Sequence, residues 1–223
     1  MGDCHGGDDE TARVRRSFDA IADLYRRDFA GELDGKPYDR AFLAALADRW
    51  GPLARATGRP VLEVGAGPAH IGGYVAALGV PMIASDVSTG QLREARALPA
   101  PPPLVAADLA RLPVTDRGVA GVLAFYCLIY GPAEALDTVF TEWRRALVPG
   151  GSVALAVHAG EGELHVDEWQ GRPVDVTLVH RDPDDVVARV RRAGLEVLDS
   201  HLRPPYPAEH GTDRFYLVAR RPG

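Results

Sequence analysis

Lysine is almost absent from this chain: Lys36 is the only one, against 24 arginines in 223 residues. The basic side chains are scattered rather than gathered into a run, and the net charge is −6. A footprint for a phosphate backbone is therefore not expected, and nucleic acid is set aside as a partner. Cysteine is also scarce. Cys4 and Cys127 are far apart in sequence, which suggests neither a disulfide framework nor a zinc knuckle, so both read as free thiols. No apolar run approaches the roughly 20 residues that span a bilayer, and "MGDCHGGDDE" lacks the apolar stretch of a signal peptide. The expectation is a cytoplasmic protein without a membrane partner. With 46% hydrophobic and 25% charged residues, there is enough apolar material for one substantial core, hence a single domain.

Residues 1–9 carry little to bury and read as a disordered tail. From Glu10, the spacing of Val14, Phe18, Ile21, Ala22, Tyr25 and Phe29 predicts an amphipathic helix. A break at "GELDGKPYDR" leads to a second helix with Leu43, Leu46, Ala47, Trp50 and Leu53 on one face, ending near Gly58. After Pro60 the pattern changes to short runs rich in Val, Leu and Ile at 61–65, 81–86, 103–108, 118–126 and 151–158, which read as strands buried on both faces. Helices alternate with them. One is expected to start at Pro132 and stop at "PGG"; another has Asp182 as cap, Pro183 in the first turn and Gly194 as stop. "LEVLDSHLR" and "RFYLVARR" supply two last strands. Such alternation implies an α/β fold, a mostly parallel sheet with helices on both faces and right-handed crossovers.

In open sheets of this kind ligands bind outside the carboxyl ends of the strands, where strand order reverses. "PVLEVGAGPAHIGGYV" joins the first strand to the next helix, and its glycines let a ligand approach the backbone closely. A tight turn with no ligand would use the same residues, so context has to decide. Asp86 lies 21 residues beyond Gly65 at the end of the second strand, where an acid can accept hydrogen bonds from both hydroxyls of a ribose. Asp108 ends the third strand, where a carboxylate can accept from the exocyclic amine of adenine while the Leu109 amide donates to a ring nitrogen. A dinucleotide loop would need glycine at position 70, which is His70, and Glu63 is foreign to that motif.

"VLEVGAGPAHIGGYVAALG", "IASDVSTGQLREAR", "VAADLARLP" and "FTEWRRALVPGGSVALAV" resemble, in order, the successive motifs of class I S-adenosylmethionine-dependent methyltransferases. Further segments are similar to a group of small bacterial members. The resemblance implies a Rossmann-like, seven-stranded, mostly parallel sheet with an antiparallel last strand and an N-terminal helical lid. The lid then covers 10–58, the cofactor-binding core 59–158, and the acceptor side with the last strands 159–223. It implies S-adenosylmethionine as cofactor and S-adenosylhomocysteine as product. By position, Glu63 fixes the loop and the methionine ammonium side, while Gly65, Ala66 and Gly67 lie under the methionine part. Asp86 with Val87 holds the ribose side, and Asp108 with Leu109 holds adenine. Phe125 closes the fourth strand beside the donor. Two positions depart from the family pattern: Ala69 stands where a third glycine is usual, and Phe18 where the lid helix usually opens with tyrosine. Tyr25 is either a cofactor contact or a core aromatic of the lid.

Methyl transfer from a sulfonium needs alignment and exclusion of water more than a strong base. An acceptor hydroxyl or protonated amine must still lose a proton, so a base near the ends of the fourth and fifth strands is sought. His158, directly after the fifth strand, is a candidate base, a substrate-positioning residue or an ordinary hydrogen-bonding group. His165 is a second candidate base, and Tyr126 follows the fourth strand beside the methyl donor. The remaining histidines lack credible metal spacing, so no metal is expected. With Tyr126, Tyr130 and Trp169 as lining, the acceptor is expected to be a small organic molecule, methylated on O or N. The alternative reading keeps the cofactor but performs a non-methylating reaction, such as cyclisation, or only binds.

Overall fold

A computed structural model describes residues 5–223, with side chains from Glu10 onward. At its centre is a seven-stranded sheet in the order β3-β2-β1-β4-β5-β9-β8. The parallel strands β1 (Val61–Val64), β2 (Met82–Asp86), β3 (Leu104–Ala106), β4 (Val119–Phe125) and β5 (Leu147–His158) follow the apolar runs of the sequence. Every residue of β1 and β4 is buried, as expected for strands covered on both faces. β9 (Arg214–Arg220) inserts antiparallel between β5 and β8 (Glu196–Arg203). Strand order reverses between β1 and β4, so the carboxyl ends of these two strands border the crevice where a ligand is expected.

One face of the sheet carries α6 (Ala135–Ala146) and α7 (Pro183–Arg192), whose Phe140, Trp143, Val186 and Val190 join the larger core cluster. The opposite face carries α3 (Pro37–Thr57) and α4 (His70–Ala77), with Leu43 and Trp50 fully buried. Trp50 lies so near β4 that a Cβ on Gly121 would stand 2.5 Å from its indole nitrogen, which donates to Ser152 Oγ at 2.9 Å. Glycine is required there by close approach, not by backbone angle. The expected punctuation of α3 and α7 is present: Gly58 ends α3 in a left-handed conformation (φ 64°), and the Asp182 side chain accepts from the Asp184 N–H at the start of α7.

Several elements differ from the sequence reading. α1 (His5–Ala20) starts within the expected tail, so residues 5–9 have helical backbone, whereas 1–4, including Cys4, lie outside the described residues. The helix expected over 10–29 is two helices, α1 and α2 (Ala22–Phe29), broken at Ile21. α6 begins at Ala135 because Pro132 to Glu134 form a preceding turn. α3 flanks the sheet, leaving the covering of the crevice to α1 and α2.

The largest difference is a separate hairpin, β6 (Glu163–Trp169) and β7 (Arg172–Val179), in a segment read only as folding over the acceptor side. Its two turn residues, Gln170 (φ 49°) and Gly171 (φ 81°), both have positive φ, the requirement of a tight primed turn. β7 packs on α1: the Asp175 N–H donates to Ser17 Oγ (2.8 Å), Arg13 pairs with Asp175 (2.8 Å), and Ile21, Val174 and Val176 form an apolar cluster. The hairpin thus holds the lid helix over the sheet. Among the described residues no helix is long and apolar enough to cross a membrane, and no group of three His, Cys, Asp or Glu side chains is arranged to hold a metal.

Candidate cofactor site

A cavity of about 470 Å³ lies between α1 and the carboxyl ends of the strands. Its floor is the glycine loop between β1 and α4. Gly65 (φ 58°) and Gly67 (φ 54°) are both left-handed, and a Cβ on Gly65 would overlap Cβ of Cys127 in the loop after β4. Only glycine satisfies both demands at Gly65. Ala69 occupies the third left-handed position (φ 56°) with its side chain fully buried, at a cost of about 1–2 kcal/mol for an L-residue.

Beneath the loop, Glu63 is 2% exposed and accepts from the Gly72 N–H at 3.1 Å. A Cβ on Gly72 would collide with the same carboxylate oxygen. Burial pushes the Glu63 carboxyl up to about 8 against the effect of that hydrogen bond. Glu63 and Ala66 are not on the cavity wall; the Ala66 N–H donates to the Ser85 carbonyl at 2.9 Å, fixing the loop to β2. Asp86 does reach the wall. Its Oδ2 accepts from the Gly67 N–H (2.7 Å) and its Oδ1 from the Ser88 N–H (2.8 Å), so this carboxylate clasps the glycine loop to the turn before α5 (Thr89–Ala95). Burial raises Asp86 to about 6, opposed by these two bonds.

Asp108 and Leu109 form the far end of the wall. Asp108 Oδ1 accepts from the Ala110 N–H at 2.7 Å and Oδ2 from the Thr11 hydroxyl of α1 at 3.3 Å. The Leu109 carbonyl accepts from the Trp143 indole at 2.9 Å, which ties this loop to α6. Asp19, near the end of α1, accepts from the Ser88 hydroxyl and the Gly90 N–H, both at 2.7 Å, and clamps the lid to α5. Phe18 and Tyr25 line the roof, edge to face at 5.5 Å, and Phe18 meets Tyr130 at 5.3 Å. Desolvation holds the Tyr25 and Tyr130 hydroxyls well above their ordinary range, hence neutral.

Of the expected cofactor contacts, Tyr25, Gly65, Gly67, Asp86, Val87, Asp108, Leu109 and Phe125 meet around this one cavity. Of the three catalytic candidates only Tyr126 joins them. Tyr126 has φ 55°, an uncommon conformation for a bulky residue and one seen where a site imposes strain. Its hydroxyl lies 3.3 Å from that of Tyr216 and 3.4 Å from Asp39. The structure does not bring His158 or His165 to the wall. His158 stands 5.2 Å from the Tyr126 ring, with Nδ1 2.8 Å from Thr212 Oγ1, and does not line the cavity. Burial, then the Arg214 charge, lowers it to about 3, so it is neutral and weakly basic at pH 7. His165 is exposed on β6, 3.2 Å from Thr177 Oγ1 and 3.9 Å from Asp175.

Sequence reasoning did not select Thr11, Gln91 or Cys127, all of which line the cavity. Thr11 and Cys127 follow from tertiary contacts alone. For Gln91 the only signal was its place three residues after the helix-capping Ser88.

The cavity's chemistry suits a nucleoside: acceptors at two strand ends, a glycine floor, an aromatic roof, and Arg111 as the only cationic side chain on its wall among the described residues. Its volume lies within the range of small-ligand sites. The comparisons with known proteins agree. The family model described as a methyltransferase domain matches residues 61–151. A malonyl-[acyl-carrier protein] O-methyltransferase of Pseudescherichia vulneris is 31% identical over 162 residues, covering 71% of this chain and 56% of that protein, so the chain spans little more than half of this relative's length. Among solved structures, the Burkholderia thailandensis 1,6-didemethyltoxoflavin-N1-methyltransferase, with bound 1,6-didemethyltoxoflavin and S-adenosylhomocysteine, superposes with a TM-score of 0.69 at 18% identity, covering all of this chain and 93% of that one. The [4+2]-cyclase SpnF gives 0.67 at 18% identity, covering 95% and 97%. These two likenesses establish the fold. Three of the four motifs, those around Gly65, Asp86 and Asp108, line one cavity, and residues 61–151 are a methyltransferase domain of the class I, S-adenosylmethionine-dependent kind.

Proposed function

We propose that this protein transfers the methyl group of S-adenosylmethionine to an oxygen or nitrogen of a small organic molecule. The observation that carries the reading is the meeting of Gly65, Gly67, Asp86 and Asp108 around one roofed cavity at the reversal of strand order. When bound, the cofactor supplies an electrophilic methyl group on a sulfonium. Asp86 would accept from the ribose hydroxyls, and Asp108 from the adenine amine. Gly65 and Gly67 leave room for the methionine part, and Glu63 holds the loop in shape from below. Tyr25 and Phe18 exclude water from above, which an in-line displacement requires. Tyr126 is the residue on the reacting side, where it positions the acceptor. Neutral aromatic side chains on the wall suit a small acceptor better than a charged polymer. The relatives act on both kinds of atom by name, one an O-methyltransferase and one an N1-methyltransferase.

A thermal-shift panel with S-adenosylmethionine, S-adenosylhomocysteine, NAD and NADP tests the cofactor. A ligand at about 100 times its dissociation constant adds roughly 2.7 kcal/mol, or several degrees. Stabilisation by the two sulfur nucleosides alone is expected. Stabilisation by NAD or NADP instead would sink the reading. The structural likeness to a cyclase supports a second, non-methylating reading. Incubation with labelled S-adenosylmethionine and a panel of phenols, carboxylic acids and heterocycles separates the two, because only methyl transfer forms S-adenosylhomocysteine.

A further inference from the structure

Gln91 is 1% exposed, touches the cavity, and has no hydrogen-bond partner for either Oε1 or Nε2 among the described residues. A buried amide left in that state destabilises a fold relative to an apolar side chain of similar shape, so it calls for a partner outside the protein's own hydrogen bonds. Its surroundings define the partner. Oε1 stands 3.7 Å from the point that a Cβ on Gly67 would occupy, and the Tyr25 ring edge is 3.5 Å from that same point. The Gly67 N–H in turn donates to Asp86. Ser88 links the Asp86 side chain to the backbone of Gln91: its N–H donates to Asp86 and its hydroxyl accepts from the Gln91 backbone N–H at 3.1 Å. Gln91 and Asp86 therefore flank one corner of the glycine floor.

An ionised Asp86 can only accept, and each of its oxygens already accepts one backbone N–H. A sugar hydroxyl offers a hydrogen and also an oxygen that needs a donor. An amide supplies that donor. We propose that Gln91 is a specificity-determining residue that donates from Nε2 to a ribose hydroxyl of the bound nucleoside, completing what Asp86 supplies as acceptor. The proposal rests on the cofactor reading above.

The test is calorimetric titration of the full chain and of Gln91→Leu with three ligands: S-adenosylhomocysteine, its 2′,3′-dideoxy analogue, and 5′-methylthioadenosine, which keeps the ribose but lacks the amino-acid tail. Melting temperatures of both proteins without ligand are measured alongside. Gln91→Leu is expected to weaken the two ribose ligands about tenfold each, to leave the dideoxy analogue unchanged, and to melt no lower than wild type. A merely structural role would weaken all three ligands equally and lower the melting temperature, which overturns the proposal, as does no effect on any ligand. Weakening of S-adenosylhomocysteine alone assigns the amide to the amino-acid tail and overturns the hydroxyl contact. If wild type binds none of the three, the cofactor reading itself fails, a result visible before any variant is compared.

Discussion

Glu63 and Gly72 fix each other: the carboxylate of one occupies the space that a side chain on the other would need, and the Gly72 N–H donates to it at 3.1 Å. The glycines of "VLEVGAGPAHIGGYV" therefore have two different tasks. Gly65 and Gly67 turn the chain, while Gly72 admits the glutamate that holds the turn to the first helical turn after it. Gly72→Ala should cost about 1–3 kcal/mol, the usual range for overpacking a rigid site. Denaturant titration would show it as a lower midpoint at unchanged slope. Wild-type stability in this variant would mean that the carboxylate is free to move aside.

Burial raises the Glu63 carboxyl from its ordinary 4.5 to about 8, which has a pH signature. The folded protein retains this proton over an interval in which the unfolded chain has lost it. Stability from this group is complete below about pH 4.5 and falls as pH rises towards 8. Asp86, raised to about 6, contributes in the same direction between about 4 and 6. Glu63→Gln keeps an acceptor for Gly72 and has no charge to bury. It should therefore gain on wild type as pH rises, by a few kcal/mol near pH 8 and by little near pH 5. Melting curves across this interval decide the matter; a constant difference would place the glutamate in a polar environment.

The strands of the sheet and the position of the cradle were legible because their signals are local. Buried parallel strands are continuous apolar runs, and a left-handed backbone asks for glycine. The hairpin was missed although "VDEWQGRPVDV" contains a two-residue Gln170-Gly171 turn between alternating segments. Its strands are largely exposed, and Val174 and Val176 pack with Phe18 and Ile21, about 150 residues earlier, so neither burial nor neighbours announce it. The histidines show a different limit. His158 is the last residue of β5, but chain position does not reveal that its ring faces Thr212 and His210 in the last loop. Gln91 illustrates a third, since an amide that lacks partners is visible only once every neighbour is in place.

Ala69 combines a left-handed backbone with complete burial. Ala69→Gly relieves about 1–2 kcal/mol of backbone strain, but it loses a packed methyl and gives the unfolded chain more freedom. These contributions nearly cancel, and stability should change by less than about 1 kcal/mol. Ala69→Val adds a β-branched side chain to the same conformation and should cost at least about 2 kcal/mol. Equal stability for the alanine and valine proteins would refute a left-handed residue at this position.

His158 should not titrate in the physiological range. Its imidazole is half-buried, faces Arg214, and is lowered to about 3. In a proton NMR titration its ring resonances, assigned with His158→Gln, should stay flat from pH 5 to 8. A midpoint near 6.5 would restore it as a candidate base.

Asp86 makes the strongest demand on the cofactor site, because one carboxylate both clasps the loop and faces the cavity. Asp86→Asn retains a single acceptor oxygen, so the N–H of either Gly67 or Ser88 loses its partner. Leaving one such donor unsatisfied costs about 1–3 kcal/mol. Binding should suffer as well. With a pKa of about 6 in the ligand-free protein, the carboxylate is mostly ionised at pH 7 and mostly protonated at pH 5. Protonation turns one of its acceptors into a donor. If ribose hydroxyls bind only the ionised form, affinity for 5′-methylthioadenosine should fall about tenfold from pH 7 to pH 5, and that dependence should vanish in Asp86→Asn. Calorimetry at the two pH values measures both. A pH dependence that survives the substitution would transfer the titrating group, and with it the ribose contact, to another residue of the wall.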